Sequence, residues 1–118
     1  MTPNATRLLQ RWGLGPRLEK LASSPEVFTI HRYNDGEVIG KRDGYGDEML
    51  AKYKSQFWDI HRADLQMALY ERAEALGVKF RFGALVTEHD FESPSVTLSS
   101  GERIECDLIV AADGKLPC

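Results

Sequence analysis

The stretch that most constrains this chain is Asp107 to Gly114, Asp-Leu-Ile-Val-Ala-Ala-Asp-Gly. Leu108 to Ala111 form an apolar run with β-branched members and no alternation. That pattern predicts a strand buried on both faces. Such strands belong to parallel sheets with helices on each side, so the run asks for an α/β domain. In open α/β sheets, ligands bind in the crevice beyond the carboxyl ends of the strands. Asp113 is thereby placed where a carboxylate meets a ribose hydroxyl. Gly114 is placed where backbone approaches a ligand closely. Asp-Gly is also a common turn pair, and it recurs as Asp35-Gly36 and Asp43-Gly44. The local pattern by itself favours the turn.

The 118 residues suffice for one domain, and a 42% hydrophobic content suits a soluble globular chain. A formal net charge of −3 gives no electrostatic reason to expect nucleic acid. Cys106 and Cys118 make neither a metal spacing nor a disulfide framework. Their scarcity fits a reducing compartment, so a cytoplasmic location is expected. No apolar run reaches membrane length, and Met1 opens no signal-peptide pattern. His31, His61 and His89 have no metal-ligand spacing, and Ser99 and Ser100 sit in a turn without a nucleophile-elbow pattern.

Taken in order, Thr2-Pro3-Asn4 reads as a helix entry, with Leu8, Leu9 and Trp12 at helical spacing and Gly13 as the stop. A second short helix is expected over 16–21. Gly13-Leu-Gly15 and Gly44-Tyr-Gly46 each lack the third glycine of a dinucleotide loop, so they read as a cap and a loop. Val27 to Tyr33 and Glu37 to Lys41 predict a hairpin around Asp35-Gly36. Phe57 to Ile60 reads as a short strand or an extended entry. Arg62 to Leu76 is the strongest helix, with Leu65, Leu69 and Leu76 along one stripe and Gly77 beyond its end. Val78 to Phe82 then reads as a strand. Residues 85–91, 95–98 and 103–106 predict a three-stranded meander. These elements form one incomplete domain region: helices over 1–25, a hairpin and loop over 26–60, and a helix, meander and Asp-Gly strand over 61–118.

Three motifs occur in order at compatible spacings: Thr-Pro-Asn-Ala-Thr-Arg-Leu-Leu at 2–9, Ile-His-Arg-Ala-Asp-Leu at 60–65, and Asp-Leu-Ile-Val-Ala-Ala-Asp-Gly at 107–114. Together they resemble the FAD-dependent aromatic hydroxylases of the salicylate hydroxylase-like group, the single-component flavoprotein monooxygenases. The resemblance covers essentially the whole chain. It implies a fragment of a doubly wound, Rossmann-like FAD-binding domain of α/β class, with a β-meander and part of a substrate-side β-hairpin.

The resemblance also implies FAD as cofactor, NAD(P)H as reductant and a small aromatic substrate. It puts Arg62 in the role of the arginine that contacts FAD from a helix start, and Asp113 and Gly114 on the FAD side. Asn4 falls near the cofactor cleft. The family's glycine loop and later Gly-Asp motif have no counterpart here, and Lys115-Leu-Pro-Cys118 replaces the usual Ser-x-x-Arg. The chain therefore reads as an interior piece lacking both ends, expected to hold FAD weakly alone and to self-associate through uncovered apolar surface. Two other readings stay open: a non-catalytic remnant acting as a binding or scaffolding piece, and a flavin-dependent oxidase or reductase of the same fold.

Overall fold

In the computed structural model, residues 1–112 and 114 are described, and they form mixed helix and antiparallel sheet in two compact units, Met1–Val78 and Lys79–Cys118. In the first unit, α1 (Pro3–Arg11) and α2 (Gly15–Leu18) are followed by a hairpin of β1 (Val27–His31) and β2 (Val38–Asp43). Then come α3 (Tyr45–Tyr53) and α4 (Arg62–Ala75). The second unit is a meander of β3 (Val86–Asp90), β4 (Ser95–Leu98) and β5 (Arg103–Glu105), paired antiparallel in that order.

Two helices stop by the same local device. After α1, the Gly13 amide donates to Gln10 O and the Leu14 amide to Leu9 O, each at 3.0 Å. After α4, the Gly77 amide donates to Glu74 O at 2.9 Å and the Val78 amide to Ala73 O at 3.1 Å. Both are Schellman closures, which need a left-handed residue past the cap. Gly13 and Gly77 supply it with φ of +81° and +90°. Gly13-Leu-Gly15 is thus a helix stop, as its sequence position suggests.

Leu9, Leu14, Leu18, Trp58 and Ala68 make the core of the first unit, with Met1, Ala22, Ile60 and Leu65 packed against it. An extended segment, 57–59, ties this core together. Trp58 exchanges both backbone hydrogen bonds with Met1. Asp59 does the same with Ser23, at 2.8 and 2.9 Å. The expected strand at Phe57–Ile60 is therefore an extended entry with one isolated bridge.

Three expectations need correction. Helix α3 begins within the glycine-bearing stretch, Asp43 to Asp47, that reads as loop in the sequence. Gly44 starts it from a left-handed conformation, φ +67°. Gly46 lies so close to Ser24 and Pro25 that a Cβ there would run into the Ser24 hydroxyl. The glycines therefore serve close packing and do not break the helix.

The second correction concerns α4. Its buried side is Ala68 with Leu65, whereas Leu69 and Leu76 are exposed. Glu71 and Arg72 explain the rotation. Arg17 binds Glu71, and Arg72 Nε donates to Trp12 O at 2.9 Å, so the 65/68/72 face turns toward α1 and α2.

The third correction is that neither Val78–Phe82 nor Leu108–Ala111 joins a ladder among the described residues. A buried parallel strand takes its hydrogen bonds and its cover from neighbours, and neither stretch belongs to a sheet among the described residues. Leu108 and Val110 are accordingly 76% and 78% exposed.

The packing makes a direct prediction. Leu18, fully buried, is expected to cost about 2–5 kcal/mol of stability when replaced by alanine. Leu76→Ala, on the exposed side, should change it by less than about 0.5 kcal/mol. Urea denaturation of both variants separates the buried stripe from the apparent one.

Candidate functional site

Arg62 is the first residue of α4 and is solvent-exposed. The preceding His61 is extended, φ −67° and ψ 134°, and no N-cap side chain accepts from the first-turn amides. Among the described residues the Arg62 guanidinium makes no hydrogen bond or ion pair. A fixed positive charge thus stands beside free amides at the positive end of a fourteen-residue helix. That donor set fits an anionic group such as a diphosphate. Asp64, in the same turn, supplies the helix with its own carboxylate.

Between α1 and α3 lies a concavity of about 520 Å³, lined by Asn4, Arg7, Tyr45, Met49, Tyr53 and Phe57 with Thr2 and Pro3 at its rim. Asn4 stands here, and Arg62 is not among the lining residues. The two helices are held together by Arg7, whose Nη2 donates to Tyr53 O at 2.9 Å, and Gln10 Nε2 ties α1 to the segment after α3 by donating to Gln56 Oε1 at 2.5 Å. Phe28 stacks on Tyr45, centroids 5.1 Å apart, and Tyr45 meets Phe57 edge to face at 5.3 Å. Sequence reasoning misses Arg7 and Tyr45 because both depend on α3. The overlooked signals for α3 are Asp47 and Glu48 in its first turn, Lys52 in its last, and Met49 and Tyr53 four apart.

In the second unit, Leu108, Ile109 and Ala111 lie beside His89, Phe91 and Pro94 around an apolar concavity of about 370 Å³. Among the described residues, its charged walls are acids, Asp90 and Asp107. Asp90 is occupied structurally. Its Oδ1 accepts from the Glu92 and Ser93 amides at 3.0 and 3.1 Å, and its Oδ2 accepts from Arg103 at 3.0 Å. The two backbone donors, then Arg103, hold its carboxyl below the ordinary aspartate range.

Gly114 has φ +72° with open space around it, which explains glycine at that position and leaves room for backbone approach. The predicted Asp113 lies outside the described residues. No group of three His, Cys, Asp or Glu side chains among the described residues is placed to hold a metal.

The model of the FAD binding domain family matches residues 1–116. The chain belongs to the FAD binding domain family. The FAD-dependent monooxygenase OpS4 of Beauveria bassiana is 44% identical over 115 residues, covering 97% of this chain and 27% of that protein. The 3-amino-4-hydroxybenzoate 2-monooxygenase PtmB3 of Streptomyces platensis is 26% identical, over 97% of this chain and 28% of its own length. Klebsiella pneumoniae HpxO, solved with FAD and uric acid, superposes with a TM-score of 0.72 at 25% identity, over 97% of this chain and 29% of that one. The chain thus spans somewhat over a quarter of the length of these relatives. The family fold agrees with the FAD-binding α/β class read from the motifs. No helix among the described residues is long and apolar enough to cross a membrane.

The Asp90 geometry generates a pH prediction. A depressed folded pKa contributes stability that is fully present above the unfolded aspartate value, about 3.9. That contribution is lost as pH falls through the lower folded value. Carboxyl-carbon NMR should therefore show Asp90 titrating below the ordinary range. In Asp90→Asn the Glu92 and Ser93 amides should exchange faster. An ordinary Asp90 midpoint would contradict this account of the turn.

Proposed function

We propose that this chain forms part of an FAD-dependent monooxygenase that hydroxylates an aromatic or related small molecule, with NAD(P)H as reductant. The observation that carries the reading is the exposed, uncommitted Arg62 at the start of α4 in a chain whose match to the FAD binding domain spans residues 1–116. The relatives' names, which include an aminohydroxybenzoate monooxygenase, support the reaction class and the aromatic substrate.

In this reading Arg62 holds the anionic part of FAD, aided by the first-turn amides of α4. Gly114 lets backbone come close to the cofactor, and Asp113 takes its expected place on the same side. FAD, when bound there, would supply the redox chemistry. The protein supplies position and exclusion of water. A cytoplasmic setting accompanies the proposal. So does self-association through the bare apolar residues Leu108 and Val110.

The test places residues 1–116 in the aligned segment of the Beauveria relative. The chimera is expected to bind FAD and to consume NAD(P)H in the presence of an aromatic substrate. Arg62→Ala should remove a charge-assisted contact of about 1.5–3 kcal/mol, which is roughly ten- to hundredfold in FAD affinity. Its melting temperature should hold, because Arg62 packs against nothing in the core. Unchanged affinity in a well-folded variant would remove Arg62 from the cofactor.

A further inference from the structure

We propose that Asp43-Gly44 is a site of spontaneous covalent modification, where the backbone rearranges to isoaspartate and loosens α3 from the β1–β2 hairpin. The chemistry needs an aspartate followed by a residue whose amide can swing onto its side chain, and glycine has no Cβ to obstruct that approach. The Gly44 amide nitrogen attacks Cγ of Asp43. The amide proton and the hydroxyl of the protonated carboxyl leave as water, and a cyclic succinimide closes. Water then opens the ring. Breaking the bond from nitrogen to Cγ restores aspartate. Breaking the bond from nitrogen to the main-chain carbonyl carbon leaves the chain running through Cγ, one methylene longer. Nothing is oxidised or reduced, and water is the only co-reactant.

The structure separates this pair from Asp35-Gly36. At the hairpin turn both reacting groups are committed. Asp35 Oδ1 accepts from the Glu37 amide and Oδ2 from Arg32, each at 3.0 Å, and the Gly36 amide donates to Arg32 O at 3.0 Å. At Asp43 the one side-chain partner is Lys41 Nζ at 2.9 Å, in an exposed ion pair that holds the carboxylate weakly. Among the described residues the Gly44 amide has no backbone partner. Gly44 stands at φ +67° with open space beside it. Asp43 is also the last pair of the β1–β2 ladder, opposite Val27, and ladder ends open most readily. The consequence lies one residue on. The Tyr45 amide donates to Glu26 O at 3.1 Å and the Gly46 amide to Pro25 O at 2.9 Å, and Gly46 packs closely under Ser24. An added methylene immediately before these contacts shifts both amides out of register.

The test warms the 118-residue chain at neutral pH and cuts it with a lysine-specific endoproteinase. Asp35 then falls in the peptide Leu21–Lys41 and Asp43 in Arg42–Lys52. Isoaspartate in each is read by methyl transfer from S-adenosylmethionine with an isoaspartyl methyltransferase, and fragmentation mass spectrometry fixes its position. It is expected to form at Asp43 about tenfold faster than at Asp35, the difference made by the extra hydrogen bonds at Asp35. In urea the two rates should converge, because the geometry that separates them is gone. Arg32→Ala frees Asp35 Oδ2 and should raise the rate at Asp35 in the folded chain. Asp43→Glu keeps the charge and should remove the modification at this position, since a longer side chain must close a larger ring. In the modified fraction the Tyr45 and Gly46 amides should exchange with solvent faster than in the unmodified chain. Equal rates at the two aspartates in the folded chain, a faster rate at Asp35, the same ratio in urea, or unchanged exchange at Tyr45 and Gly46 would overturn the proposal. No flavin takes part, so the result is independent of the role of Arg62.

Discussion

The first unit depends on the pinning of residues 57–59. Trp58 trades backbone hydrogen bonds with Met1, Asp59 trades them with Ser23, and the Trp58 ring is buried among Leu9, Leu14 and Leu18. Three parts of the chain distant in sequence are thereby held together. The pairing is antiparallel, so the chain runs from Met1 into α1 in one direction and from Trp58 toward α4 in the other. Thr2 and Phe57 both line the α1–α3 concavity, and Arg62 is not among its lining residues.

The features legible in the sequence are those decided within a few residues. Gly13 and Gly77 announce their helix stops because a Schellman closure spans only the last turn. The β4 strand Ser95–Leu98 falls where alternation and flanking turn residues put it. Helix α3 was not legible, since its two glycines answer to demands invisible locally. Gly44 takes a left-handed start, and Gly46 yields space to Ser24, more than twenty residues earlier. The stretches at 78–82 and 108–111 failed for the opposite reason. Their apolar composition records a need for cover, and composition does not say which segment supplies it.

The candidate site divides along the same line. Arg62 is visible from a motif and a helix start, both local. Arg7 and Tyr45 acquire a role only when α3 folds back onto α1, across 46 residues at the Arg7–Tyr53 contact. The rotation of α4 belongs here too. Periodicity alone favoured the Leu65–Leu69–Leu76 stripe, but Arg17 binds Glu71 and Trp12 O accepts from Arg72 at the exposed edge of the packing, and Ala68 becomes the buried residue. A small side chain at that position lets α4 sit close to α2, which a leucine would prevent.

The arginines themselves show how structure and ligand chemistry are partitioned. Arg7 donates to the carbonyl of Tyr53, the last residue of α3, and Arg72 donates to the carbonyl of Trp12, the C-cap of α1. Each places a cation at the negative end of a neighbouring helix and satisfies a carbonyl that the helix leaves unpaired. Arg17 is committed to Glu71, whose carboxyl it holds below the ordinary range. Arg62 stands at the positive end of its own helix, where a cation is electrostatically unfavourable to the fold. Such a placement gains nothing from the dipole of α4, whose first turn carries Asp64 as its acid. Arg7 closes α3 onto α1 through one of its N–H groups and is also the charged residue, among the described ones, that lines the concavity.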